Sequence, residues 1–462
     1  MNRSLIDSLP PPDGAGNFEE VRRLAAAGRK AVVLDDDPTG TQTVHGLDVL
    51  ADWSVGALAA ALADPRPCFY VLTNTRSLAA ADAAALTGAI AANLSAAGRA
   101  SGVDFSVISR GDSTLRGHFA EELGALEMGL CAPIDAKIVI PAFFEGGRYT
   151  IGDIHYVAQG DDLVPAAETE FARDRVFGYS HSDLPAWIEE KTGGAVPAGS
   201  VASVDIATLR GRDAAAAVRS RLLALPRGAF MVVNAAAYAD LEAFTRGLLG
   251  AESSGRRYLV RSAASFVRVR AGLEARPPLT GPEISGPGAA GGLVVVGSYV
   301  GKTTSQLESL LGLPGVAAIE LAVGRFAAPA SGANETRRVA EAARNEMAAG
   351  RHAVVFTSRG QTSAIGAAGD LAAGRIVSGA LAAVVRGLPV RPRFLIAKGG
   401  ITSSDIAVHG LGMKRALVLG QAAPGVPVWE MGPETRFPGM RLVVWPGNVG
   451  GPDALRDLVR KA

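Results

Sequence analysis

Short runs of β-branched and other apolar residues alternate along this chain with longer Ala- and Leu-rich stretches of helical period, and that alternation narrows the fold more than any other feature. A strand followed by a helix and then by another strand is the repeat of a parallel sheet covered on both faces. In the first half, strands are expected at 30–35, 68–72, 104–108, 137–140 and 230–234, with helices at 79–97, 118–130, 214–225 and 241–249. Later strands at 293–296, 352–356, 393–396 and 416–419 alternate with helices at 304–311, 336–349 and 371–385. Between the two halves lies ARPPLTGPEISGPGAAGG at 275–292, whose four prolines and five glycines break all periodicity and read as a linker. A length of 462 residues exceeds one ordinary core. The expected architecture is therefore α/β: two α/β domains with largely parallel sheets, one over 1–275 and one over 293–462, joined by a linker at 276–292, with the ligand site in the interdomain cleft.

Composition excludes several classes of partner. A formal net charge of +1 gives no electrostatic case for a nucleic-acid backbone or a polybasic membrane surface. The N-terminus carries no apolar signal region, and no uncharged apolar stretch of about 18 residues follows, so the chain reads as cytoplasmic. Cys68 and Cys131 lack any metal-ligand spacing and are expected to be buried structural thiols. Gly and Pro together make about 18% of the chain against a usual figure of roughly 12%, a surplus expected in turns and ligand loops.

The chemistry gathers where expected strands end. The first run leads without a spacer into Asp35-Asp36-Asp37-Pro38-Thr39-Gly40, which delivers three carboxylates to the carboxyl edge of a sheet, where open α/β folds bind ligands. Packed carboxylates repel, so a Mg²⁺ contact or a hydroxyl to be deprotonated would explain the cluster. The same residues match DxDxT through Asp35, Asp37 and Thr39, the opening of haloacid-dehalogenase-like phosphatases, and a phosphatase with Asp35 as nucleophile is the alternative reading. The next strand ends in Thr73-Asn74-Thr75-Arg76, and the third in Ser109-Arg110-Gly111-Asp112-Ser113-Thr114-Leu115-Arg116-Gly117. Hydroxyls, guanidiniums and helix-terminal N–H groups at one edge suit a carboxylate or phosphate. A further stretch at 141–150, with Glu145 and Arg148, is placed as a wall of the same pocket. His45, His155 and His181 fall in or near these loops and are read as exposed or structural.

In the second half, Gly297-Ser298-Tyr299-Val300-Gly301-Lys302 approaches a P-loop but is one residue short, with Val296 where the first glycine belongs. Its backbone and Lys302 still suit a phosphate, as do the glycines of Lys398-Gly399-Gly400-Ile401-Thr402 and Trp445-Pro446-Gly447.

Taken in order, DDDPTG, NTRS, RGDSTLRG, GSYVGKTT, KGGITSSD and PGNVGG resemble the four-carbon acid sugar kinase family over about residues 30 to 455. The resemblance implies phosphorylation of threonate, erythronate or 3-oxo-tetronate by ATP, a phosphotransfer to an alcohol group, with sugar acid on the N-terminal domain and nucleotide on the C-terminal one; Mg²⁺ is the cofactor expected with the nucleotide. It implies Arg76, Arg110, Gly111, Asp112, Ser113 and Arg116 as substrate-binding and Ser298, Gly399, Gly400, Ile401, Thr402 and Gly447 as nucleotide-binding; beside it, Asp36 and Asp37 are the expected catalytic residues and Lys302 an expected nucleotide contact. Metal ligands are left unassigned, and a homodimer is compatible with it. Two positions depart from the family pattern: Arg110 replaces a lysine, and Val300 replaces a serine. Arg grips a carboxylate with a two-pronged fork where Lys offers a point charge, so the first departure bears on substrate identity.

Overall fold

The expected run 30–35 forms a strand, β1 (Lys30–Asp35), in a computed structural model that describes residues 4–12, 17–286, 290–297, 301–358, 370–447 and 449–462. Two compact units result: Met1–Asp36 with Asp52–Ala275, and Asp37–Ala51 with Arg276–Ala462. The second unit thus takes 37–51, a segment that sequence periodicity assigns to the N-terminal domain. That segment supplies β2 (Asp48–Leu50).

The first unit continues through β3 (Cys68–Leu72), β4 (Phe105–Arg110), β5 (Ala136–Ile140), β6 (Arg148–Ile151), β7 (Ile154–Gln159), β8 (Asp162–Pro165), β9 (Ala202–Val204), β10 (Ala229–Val233) and β11 (Tyr258–Ser262). Its main sheet runs β3-β1-β4-β11-β5-β10-β9, every pairing parallel. β6, β7 and β8 form a separate antiparallel sheet. The chain leaves β1 for β3 on one side and returns for β4 on the other, which makes the carboxyl ends of these strands a topological switch point. Register aligns those ends, pairing Asp35 with both Leu72 and Arg110, and Arg110 with Ser262. The strands are buried on both faces, as Ala31, Val32, Val33 and Tyr70 are all fully enclosed.

The second unit adds β12 (Leu293–Val296), β13 (Val316–Leu321), β14 (His352–Thr357), β15 (Leu395–Lys398), β16 (Arg415–Ala423), β17 (Val426–Met431) and β18 (Arg441–Trp445). Its order is β13-β14-β12-β15-β18-β17-β16-β2, parallel from β13 to β18 and antiparallel from there to β2. Its core joins Val294, Val354, Ile396, Val443 and Trp445 to Leu279 and Ile284. Those last two residues lie in the expected linker, which corrects that reading at 276–286: a capping box from Thr280 to Glu283 starts a helical turn, Gly281–Ile284, on the core. Among the described residues no helix is long and apolar enough to cross a membrane.

Cys68 is buried, and burial pushes its thiol up to about 12. Cys131, also expected inside, is exposed, with Arg99 donating to its sulfur at 3.4 Å.

The 37–51 segment is held in the second unit by specific bonds. Fully buried Trp429 donates its indole N–H to Thr41 Oγ1 at 2.9 Å, and Gln42 Nε2 donates to the Gly425 carbonyl at 3.0 Å. Gly46 donates its N–H to Val418 O at 2.7 Å, ahead of the β2–β16 pairing. Replacing Thr41 by Val keeps the shape but leaves the indole donor without an acceptor, a loss of about 1–3 kcal/mol. Urea unfolding of Thr41→Val should show that loss with an unchanged m-value.

Candidate active site

The acidic strand end of β1 divides between the units: Asp35 and Asp36 stay in the first, and Asp37 belongs to the second. Asp36 is the hub of an ion cluster. Arg76 reaches it twice, Nη2 to Oδ1 at 2.5 Å and Nε to Oδ2 at 3.2 Å. Arg110 Nη1 lies 3.4 Å from Oδ1, and Arg261 Nη2 is 3.9 Å from Oδ2. Backbone bonds set this geometry, because Asp36 N–H donates to Arg110 O and Arg76 N–H donates to Asp36 O, each at 3.3 Å. Asp35 is fully buried, 3.3 Å from Arg110 Nη1. Enclosure and ion pairing remove Asp35 as a nucleophile. With Asp37 in the other unit, the DxDxT phosphatase reading is not supported.

Around this hub the 109–117 turn folds back on itself. Asp112 accepts from Arg116 Nε at 2.8 Å and from Thr114 Oγ1, and lies 3.6 Å from Arg76 Nη1. Burial alone would raise the Asp112 carboxyl, but Arg116 and Arg76 outweigh it and hold the group well below the usual carboxylate range. Leu115 and Gly117 adopt φ of +67° and +114°, so the turn is bent at two left-handed positions. His155 braces it from β7: Nε2 donates to Ser113 O at 2.8 Å, while Nδ1 accepts from Thr150 Oγ1 at 3.0 Å. Burial pushes His155 down to about 4, so the ring is a neutral strut, in keeping with its structural reading. Tyr179 donates its hydroxyl to Thr114 O at 2.8 Å.

The structure therefore brings Asp36, Arg76, Arg110, Gly111, Asp112, Ser113 and Arg116 together in one unit. Gly111 has a role that the sequence did not suggest, since a Cβ there would collide with the Arg261 guanidinium. Arg261 donates to Ser109 Oγ at 2.7 Å and pairs with Glu122, which also accepts from Thr75 Oγ1 at 2.5 Å. Arg261, Glu122 and Tyr179 are absent from the sequence-based set. β11 offers only three apolar residues before its arginine, too short a run for periodicity to register.

In the second unit Asp37 caps the 3₁₀ turn Pro38–Thr41, accepting from Thr39 N at 2.8 Å and Thr39 Oγ1 at 2.5 Å. Its carboxylate packs directly on Gly400, where a Cβ would collide with it. Gly399 has φ +119° and donates its N–H to Trp445 O at 2.8 Å, which sets the strand end of β15 against that of β18. Thr402 fills the space beside Gly297 that a Cβ would need, and Ile401 is partly exposed. Gly447 accepts from Thr303 Oγ1 at 3.1 Å, and Lys302 lies exposed on the helix Gly301–Leu311. Ser298 lies outside the described residues.

Lys398 is fully buried, and its ammonium donates to Pro446 O at 2.6 Å and Gly447 O at 3.3 Å, with the Trp445 ring 5.4 Å away. It ties the ends of β15 and β18 together. The sequence places it at the head of a glycine-rich stretch, where nothing in the residue order points to this role.

Residues 31–270 match a sugar-binding N-terminal domain, and residues 293–455 match a nucleotide-binding C-terminal domain. The chain belongs to the four-carbon acid sugar kinase family. A D-threonate kinase of Bordetella bronchiseptica is 34% identical over 259 residues, and this match takes in 54% of the chain and 57% of that enzyme's length. A Salmonella typhimurium LT2 protein of known crystal structure shares the fold at a TM-score of 0.66 and 18% identity, over 94% of this chain and 98% of its own. A Haemophilus influenzae protein does so at 0.59 and 17%, over 93% and 99%.

In this family member Lys398 also gives a pH signature. Burial, with Lys302 adding to it, lowers its ammonium to about 7, whereas an unfolded lysine titrates near 10.4. Between those values the unfolded chain binds one more proton, so stability rises with pH, by at most about 1.4 kcal/mol per unit. Denaturant unfolding from pH 7 to 10 should show that slope in the wild type relative to Lys398→Met.

Proposed function

We propose that the protein transfers the γ-phosphoryl group of ATP to a hydroxyl of a four-carbon sugar acid, with threonate as the first candidate. The observation that carries this reading is the division of the DDDPTG motif. Asp36 sits in a guanidinium-rich cluster of the unit that matches a sugar-binding domain, while Asp37 packs on Gly400 in the unit that matches a nucleotide-binding domain. The D-threonate kinase relative supports the choice of acid.

Phosphoryl transfer asks a protein mainly for positioning, charge neutralisation and a base at the attacking hydroxyl. Asp36 has its oxygens engaged by three arginines, which suits it to orienting substrate hydroxyls with Arg76. Asp112 and Ser113, on the braced turn, would bond further hydroxyls. Asp37 is the candidate base. The glycine turns at the ends of β12 and β15 would offer backbone N–H groups to a triphosphate, with the Thr402 and Asp37 side chains packed against Gly297 and Gly400. Lys302 would add charge, and Ile401 an apolar contact to the base. Mg²⁺ travels with nucleotide phosphates and needs only one or two protein carboxylates. The described residues hold no cluster of three or more acidic, His or Cys ligands that would form a separate metal cage.

Coupled ADP-release kinetics with ATP and C4 aldonates test the reading. Asp37→Asn should lower kcat by about 10²–10⁴ with little change in aldonate KM, whereas Asp36→Asn should act mainly on aldonate KM. Turnover of Asp37→Asn within tenfold of wild type would remove the base assignment, and ATP consumption indifferent to every aldonate would remove the kinase reading.

A further inference from the structure

The arginines at the strand ends of the first unit differ in whether a carboxylate answers them. Arg76 pairs with Asp36, Arg110 with Asp35 and Asp36, Arg261 with Glu122, and Arg116 with Asp112 at 2.8 Å and Asp174 at 3.5 Å. Arg148 makes no ion pair among the described residues. It opens β6 just after the left-handed Gly147 and is pinned to Phe143 by paired backbone bonds of 2.8 and 3.2 Å. Its Nη1 donates to the Gly146 carbonyl, while Nε is buried without an acceptor. The guanidinium lies 5.7 Å from the centre of the Phe171 ring, which Arg116 also covers at 5.2 Å.

Two guanidiniums therefore share one aromatic ring, and the anion nearest in effect, Asp112, is already bonded to Arg116. An arginine does not escape burial by losing its proton, so the charge stays and calls for a counterion. Nη2 makes no hydrogen bond among the described residues and, unlike the enclosed Nε, is not sealed in, so its N–H groups are the ones that can take a charged carboxylate oxygen. Resting on the kinase reading, we infer that Arg148 is the receptor for the carboxylate of the sugar acid and selects acids over neutral sugars. Phe171, its ring centre 5.7 Å away, puts an apolar face against the guanidinium, which strengthens a charged pair. Arg76 and Arg110, which the sequence proposes for the carboxylate together with Arg116, serve instead to fix Asp36.

Calorimetric titration without nucleotide separates this inference from the reading beneath it. For Arg148→Gln, affinity for threonate should fall 100-fold or more, affinity for the matching neutral tetritol should not change, and the melting temperature should hold or rise. Arg148→Lys should recover part of the loss, as a point charge replaces a fork. Threonate binding within threefold of wild type in Arg148→Gln overturns the assignment while leaving the kinase reading in place. An equal loss for threonate and tetritol with a lowered melting temperature also overturns it, since that is the mark of a structural role. If the wild-type protein binds no C4 aldonate, the kinase reading falls and this inference with it.

Discussion

A carboxylate enclosed by protein must be answered by positive charge, and the first unit is organised around one such case. Asp36 takes bonds from Arg76 and Arg110 and lies close to Arg261, whose strands and turns reach it from three directions. Removing one partner from such a set strands charge in the interior, typically at a cost of about 3–5 kcal/mol. The requirement explains several local features at once. Gly111 is small because Arg261 passes over it, and Gly117 because Asp36 Oδ2 would lie 3.0 Å from a Cβ. Asn74 takes a left-handed φ of +52° in the turn that carries Arg76 back to Asp36.

The second unit solves a different problem, bringing backbone close to backbone at the ends of β12, β15 and β18. Gly297 and Gly399 donate their N–H groups to Lys398 O and Trp445 O, Gly297 and Gly400 leave room for the Thr402 and Asp37 side chains, and the Lys398 ammonium bonds the Pro446 and Gly447 carbonyls. Gln306 completes the arrangement by donating to the carbonyls of Val449 and Gly451 at 3.0 and 2.9 Å. A buried lysine whose bonds, among the described residues, go to carbonyls beside an aromatic ring is costly to desolvate, and this burial lowers its ammonium.

Much of this was legible in the residue order, for identifiable reasons. β1, β3 and β12 coincide with their expected ranges because each is a run of apolar residues buried on both faces, bounded by polar or Gly/Pro residues. The motif residues at those strand ends were legible for the same reason, since a strand's last residue fixes where the next few go. Periodicity could not show the transfer of 37–51 to the second unit, because a three-residue strand such as β2 carries no period. It depends on long-range partners, Trp429 and Gly425, almost 400 positions away. β6 and β7 were hidden because Arg148, His155 and Gln159 interrupt their apolar pattern, and β8 because its four residues, Asp162–Pro165, are too few to show one. With them went the absence, among the described residues, of a carboxylate paired with Arg148, which is a property of three-dimensional neighbours alone.

The central claim assigns the acid to the first unit and the nucleotide to the second, with Asp36 and Asp37 on different sides of that division. Hydrogen-exchange mass spectrometry of the whole protein, with threonate alone and then with a non-hydrolysable ATP analogue alone, tests it most directly. The account predicts that threonate slows exchange at residues 74–78, 109–118 and 144–156, whereas the analogue slows it at 398–404 and 444–452. Protection of the 109–118 turn by the nucleotide, with the 398–404 segment unaffected, would contradict it.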